Sequence, residues 1–233
     1  MTKEEVCALI DKVGVIPAVR VSSPEDARFA AEAVNRGGIP IVEITMTVPG
    51  ACAVIAELAK SHPKMIVGAG TVLTTDTALM CVDSGARFLT APTFNPGMVA
   101  FAAKQGLAVF PGALTPTEVV AAWEAGSDLV KVFPCSLVGG ERYIKALKTS
   151  LPAIRLIAAG GVNQQTAQEF IVAGASVIGV GTELIPTEAI QRRQSKRIQE
   201  LAQRFREFVR LGRSRLESQK QAASPPKPLA AES

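Results

Sequence analysis

Short apolar runs rich in valine, isoleucine and leucine recur along the chain, and longer stretches with helical spacing of apolar positions separate them. The runs are "IPAVR" 16–20, "PIVEIT" 40–45, "MIVGAG" 65–70, "RFLTAP" 87–92, "LAVFPG" 107–112, "LVKVFP" 129–134, "IRLIAAG" 154–160 and "SVIGVG" 176–181. Runs of this length, apolar on consecutive positions and bounded by Gly or Pro, predict strands buried on both faces. The intervening stretches, such as "SPEDARFAAEAVNRG" and "NPGMVAFAAKQG", predict amphipathic helices. Ser22 or Ser23 ahead of Pro24 signals a helix start and Gly37 its stop, and Gly85, Gly106, Gly126 and Gly174 give further stops.

Strand and helix thus alternate through eight units, which predicts an α/β fold: a single (β/α)8 TIM barrel over residues 1–212, opened by an N-terminal helix. A doubly wound open sheet is the competing fold. Its dinucleotide-binding form needs GxGxxG after an early strand, whereas "GAGTVL" 68–73 has only the first two glycines and follows the third strand. Ile190, Ile198, Leu201, Phe205 and Phe208 space a closing helix over 187–211. Residues 213–233 are polar, carry Pro225 and Pro226, and read as a frayed or disordered tail.

Composition narrows the function classes. The net charge of +4 and pI of about 9.0 are mildly basic, with "RRQSKR" 192–197 the densest cluster. One Trp and one Tyr supply no stacking surface, so no nucleic-acid partner is expected. The start "MTKEEVCALIDKVG" lacks the apolar stretch of a signal peptide, and no 18-residue apolar run predicts a membrane span. Cys7, Cys52, Cys81 and Cys135 lack CxxC spacing and the chain has one histidine, which leaves no zinc or thioredoxin pattern and fits reduced thiols in the cytoplasm. His62 reads as a helix-end residue, Cys135 as pocket packing, Met46 and Met98 as ordinary cavity or core residues, and Gly139–Gly140 as shaping the sixth loop.

Two charges break the apolar runs: Lys131 in the sixth and Glu43 in the second. An unpaired interior ammonium is costly. In a barrel, both side chains can meet at the mouth formed by the strands' C-terminal ends. A buried ion pair without chemistry is one reading. The other is an amine that attacks a ketone, with a carboxylate to move the protons. "IAAGGVNQQTAQEF" 157–170 places Gly160 and Gly161 ahead of a helix expected near Asn163, and "GVGTEL" 179–184 brings Gly181 and Thr182 from the neighbouring loop. Backbone N–H groups at these two adjacent loops predict a phosphate site.

"VEIT", "GAGTVL", "FPGALTPTE", "VKVFP", "YIKALK" and "AAGGV", in that order on successive units, closely resemble the 2-keto-3-deoxy-6-phosphogluconate/4-hydroxy-2-oxoglutarate aldolase family of bacterial class I aldolases. The resemblance covers residues 5–210. It implies Schiff-base chemistry at Lys131 and acid/base work at Glu43. It further implies that Thr71 and Pro92 shape the pyruvate end of the pocket, that Phe133 packs near the lysine, and that Arg20 clamps the substrate carboxylate. Gly160, Gly161, Gly181 and Thr182 match the phosphate region. The resemblance also implies a homotrimer, no metal or organic cofactor, and 2-keto-3-deoxy sugar acids and pyruvate as small-molecule partners. Two departures stand out: Thr47, Val48 and Pro49 replace the Arg-Thr-Pro of some members, and Ala159 replaces a common threonine. The phosphorylated galactonate epimer and unphosphorylated hydroxy-oxoglutarate therefore remain alternative substrates. A different phosphate-binding barrel enzyme, or a noncatalytic ligand-binding barrel, is the reading from another class.

Overall fold

The structure, a computed structural model, describes residues 1–223. In chain order its elements are α1 (Lys3–Val13), β1 (Val15–Val19), α2 (Pro24–Arg36), β2 (Ile41–Thr45), α3 (Ala51–Ser61), β3 (Ile66–Gly70), α4 (Thr75–Asp83), β4 (Phe88–Thr90) and α5 (Pro96–Lys104). There follow β5 (Ala108–Phe110), β6 (Gly112–Ala113), α6 (Pro116–Glu124), β7 (Val130–Val132), a 3₁₀ turn (Cys135–Val138), α7 (Glu141–Ser150), β8 (Leu156–Ala159), α8 (Ala167–Val172), β9 (Val177–Val180), α9 (Thr187–Gln191) and α10 (Ser195–Ala223). Each strand expected from the apolar runs is present, trimmed by a few residues. The helix signals act as expected: Ser23 Oγ accepts the Asp26 N–H at 3.1 Å, and Gly85, Gly106, Gly126 and Gly174 follow their helices with φ of 96°, 62°, 96° and 104°. Left-handed backbone of this kind is cheap only for glycine.

All strand pairs are parallel, in the order β5-β4-β3-β2-β1-β9-β8-β7-β6. The two ends of that order are one stretch of chain. β5 pairs with β4, β6 pairs with β7, and Pro111 joins them, its carbonyl accepting the Lys131 N–H at 2.8 Å. Proline has no N–H for a ladder, so the fifth stave splits at that residue while the barrel closes through it. The result is the expected (β/α)8 barrel. β2 and β3 are buried along their full length, and every residue of β4, β5 and β8 is buried as well.

The C-terminal region differs from expectation twice. The closing helix is broken at Arg193, whose backbone is left-handed (φ 51°) and whose guanidinium reaches Glu25 at 3.0 Å and Asp26 at 2.8 Å on α2. The polar stretch after residue 212 is not frayed at its start: α10 continues to Ala223, and the rest of the expected tail lies outside the described residues. Arg213 explains the continuation. It donates to the carbonyls of Lys12 at 3.0 Å, Asp11 and Ser176 at 3.4 Å, and Arg215 pairs with Glu169 at 2.7 Å. These polar side chains hold the helix to α1 and α8. No described helix is long and apolar enough to cross a membrane.

Candidate active site

Lys131 is the middle residue of β7, between the fully buried Val130 and Val132, and its register partners are Gly112 and Ile157. Its side chain is 13% exposed, and Nζ lies 3.6 Å from Glu43 Oε2 on β2, whose side chain is 4% exposed. Nζ also donates to Thr90 Oγ1 at 3.4 Å and stands 5.7 Å from the Phe133 ring centroid. Two interior charges thus meet, as the broken apolar runs predicted. The room comes from a glycine: a Cβ on Gly70 would overlap the Glu43 carboxylate.

Arg20, Glu43, Lys131, Phe133, Gly160, Gly161, Gly181 and Thr182 line one cavity of about 350 Å³ together with Ala18, Ala159, Asn163, Gly179 and Glu183. Arg20 is exposed at its rim, one residue beyond β1. At the far end, Gly160 and Gly161 are left-handed (φ 83° and 89°), and a Cβ on Gly161 would strike Ser136 Oγ. Among the described residues the N–H groups of Gly161, Val162, Gly181 and Thr182 have no acceptor, which leaves two loops of donors for an anion. The helix expected near Asn163 starts later, at Ala167. Asn163 Oδ1 accepts from Gln165 N and Thr166 N at 3.0 Å each and so holds a turn in front of the helix. The unpaired N–H groups of this region are therefore loop amides rather than a helix pole.

Thr71 and Pro92 follow β3 and β4 but do not line this cavity. Thr71 is nevertheless unusual, with φ 60°, a conformation that costs a β-branched residue about 1–3 kcal/mol and recurs at functional sites. Thr47 shares a hydrogen bond with Thr45, 2.8 Å between their hydroxyl oxygens. Sequence reading missed Thr90, whose only signal is its period-two placement after the inward Phe88, and missed Gly70 and Glu183. Burial pushes the Cys135 thiol up to about 12, and it donates to the Gly160 carbonyl at 3.5 Å, so it packs the loop as a thiol rather than acting as a thiolate. His62 caps α3 and contacts Ser61 Oγ at 2.8 Å, the helix-end role expected of it.

The geometry has counterparts in known proteins. The family model "KDPG and KHG aldolase" matches residues 6–201. The 2-dehydro-3-deoxy-phosphogluconate aldolase of Treponema pallidum (strain Nichols) is 32% identical over 86% of this chain and 95% of its own. The 2-dehydro-3-deoxy-6-phosphogalactonate aldolase of Escherichia coli (strain K12) is 31% identical over 85% and 97%. Among solved structures, a KDPG aldolase from Legionella pneumophila with pyruvate captured as a covalent carbinolamine superposes with a TM-score of 0.79 at 29% identity, covering 84% of this chain and 96% of that one. On this agreement of fold, length and sequence, the chain belongs to the KDPG and KHG aldolase family and is an aldolase, a carbon–carbon lyase.

Proposed function

We propose that this aldolase is a class I, Schiff-base enzyme that cleaves 2-keto-3-deoxy-6-phosphogluconate to pyruvate and D-glyceraldehyde 3-phosphate, and 4-hydroxy-2-oxoglutarate to pyruvate and glyoxylate. The observation that carries the reading is the 3.6 Å approach of Lys131 Nζ to Glu43 Oε2 in a cavity whose far end is the Gly160–Gly161 and Gly181–Thr182 loops. Attack requires a neutral amine, and Glu43 is the group at hand to take its proton. The amine adds to the C2 ketone, and the carbinolamine loses water to give an iminium. Glu43, directly or through a water, then removes the C4 hydroxyl proton. The C3–C4 electron pair flows into the iminium, which releases the aldehyde and leaves an enamine. Protonation at C3 by the same carboxyl group and hydrolysis return pyruvate and the free lysine. The iminium is the electron sink, so no step calls for a metal or organic cofactor.

A substrate phosphate fits the loop amides at the far end, where backbone donors bind an anion without a dedicated arginine. Arg20 at the rim would hold the substrate carboxylate. Thr71 and Pro92 would bound the pyruvate end from the loops after β3 and β4. A second reading, cleavage of the phosphorylated galactonate epimer, draws on Thr47 in place of the arginine of some members and on the 31% identical galactonate relative. The phosphate lies far from C4 and cannot select between the epimers. Assays of kcat/KM on both phosphorylated epimers, their unphosphorylated forms and 4-hydroxy-2-oxoglutarate decide the matter. The highest value is expected for the phosphogluconate. A higher value for 4-hydroxy-2-oxoglutarate than for either phosphosugar overturns the phosphate reading, and no cleavage of any of them returns the barrel to a binding role.

The working assembly in this proposal is a homotrimer. Leu73, Leu79, Met80 and Leu137 support it: these apolar side chains, 51%, 47%, 59% and 82% exposed, offer surface that a partner copy would cover.

A further inference from the structure

The amine of Lys131 meets two side-chain oxygens, and the aldol chemistry above uses only one of them. Glu43 Oε2 lies 3.6 Å from Nζ, and Thr90 Oγ1 lies 3.4 Å from it. Thr90 is the last residue of β4 and is 1% exposed. Among the described residues, Lys131 Nζ is the only hydrogen-bond partner of its hydroxyl. Phe88, two residues earlier on the strand, and Phe110, the register partner of Thr90 on β5, are fully buried rings 5.5 Å apart and offer the hydroxyl nothing. Lys131 and Glu43 line the cavity of about 350 Å³, whereas Thr90 does not. A buried hydroxyl whose one partner is the nucleophilic amine acts through that amine rather than on the substrate.

We infer that Thr90 is a positioning residue: it receives the N–H of the Lys131 iminium and so leaves Glu43 free to move protons. The inference rests on the Schiff-base reading and adds a division of labour to it. The number of hydrogens on nitrogen decides the matter. A lysine ammonium has three N–H groups and can serve both oxygens at once. The iminium nitrogen keeps one, so carboxylate and hydroxyl compete for it. Were Glu43 to take it, the carboxylate would be tied to nitrogen in the step where it must reach the C4 hydroxyl. A carboxylate bonded there would also favour the cationic iminium over the neutral enamine, and so oppose the cleavage. A hydroxyl is neutral and satisfies the N–H without that opposition. Holding the N–H at Oγ1 also fixes the rotation of the planar iminium, and with it the direction that C3 and C4 present to Glu43. The acceptor is itself firmly placed. The Val72 N–H donates to the Thr90 carbonyl at 3.1 Å, and Thr90 pairs with Phe110 across the β4–β5 ladder.

The test is the exchange of pyruvate C3 hydrogens for deuterium in heavy water, followed by NMR and divided by the Lys131 adduct that borohydride traps in the same sample. That ratio reads how well the carboxyl group works once the iminium exists. Thr90→Val keeps the branched shape and removes the hydroxyl. It should lower exchange per adduct about tenfold, the scale of one hydrogen bond to a charged group, at an unchanged Tm. Thr90→Ser keeps the hydroxyl and should restore most of the exchange. Should the valine protein not fold, Thr90→Ala carries the same comparison. Wild-type exchange per adduct in a folded protein without the hydroxyl overturns the inference. So does a serine variant as slow as the valine one, which would assign the effect to the methyl group. A wild-type protein that forms no Lys131 adduct fails differently, because that result overturns the Schiff-base reading itself.

Discussion

Glu43 reaches Lys131 because residue 70 has no side chain. Gly70→Ala is therefore expected to push the carboxylate aside while the strand stays in place, since the overlap falls on the end of a flexible side chain. A displacement of this kind costs on the order of 10²-fold in turnover; wild-type kcat/KM in a variant with an unchanged circular dichroism spectrum would contradict it. Glu43→Gln should still form some Lys131–pyruvate adduct but cleave about 10²–10⁴-fold more slowly. Near-normal cleavage across the pH range of the wild type would remove Glu43 from proton transfer. Lys131 and Glu43 were legible in the sequence because a charge inside an apolar run has few reasons to be there. Thr90 and Gly70 were not: threonine is an ordinary strand former, and a glycine at a strand end reads as a turn until the neighbouring strand is known.

At the scale of elements, local signals served well and contacts between distant segments did not. The strands and the glycine helix stops follow from patterns a few residues long. The break at Arg193 depends on Glu25 and Asp26 of α2, and the extension of α10 depends on carbonyls of Asp11, Lys12 and Ser176. Neither partner set is visible near the residues concerned. Asn163 likewise looked like a helix start, but its side chain accepts two N–H groups and delays the helix to Ala167. The extension of α10 has a measurable consequence. Arg213 donates to backbone on α1 while partly exposed, so its loss should cost about 1–2 kcal/mol after allowance for solvent screening. For a chain of this size that is a drop of roughly 2–8 °C in Tm, both for Arg213→Ala and for truncation after residue 212. An unchanged Tm in both proteins would show that the added turns of α10 contribute nothing to stability.

For the whole molecule, the barrel gathers charges and amides from β2, β7 and the loops after β8 and β9 at one mouth, so the fold and the chemistry are a single statement. The proposed assembly is tested by light scattering across assay concentrations: a mass of three chains is expected, and a dominant mass of one or two contradicts it. The C-terminal truncation should keep that trimer mass even as its Tm falls, because the residues it removes are mostly polar, with Leu216 and Leu229 their only large apolar side chains. The central claim is that Lys131 becomes covalently bonded to the ketone carbon of the substrate. Reduction with borohydride in the presence of pyruvate, followed by peptide mass spectrometry, tests it most directly. The account predicts a reduced pyruvyl group on the peptide that carries Lys131, absent when pyruvate is omitted; a label confined to any other lysine, or no label in an actively cleaving enzyme, would contradict it.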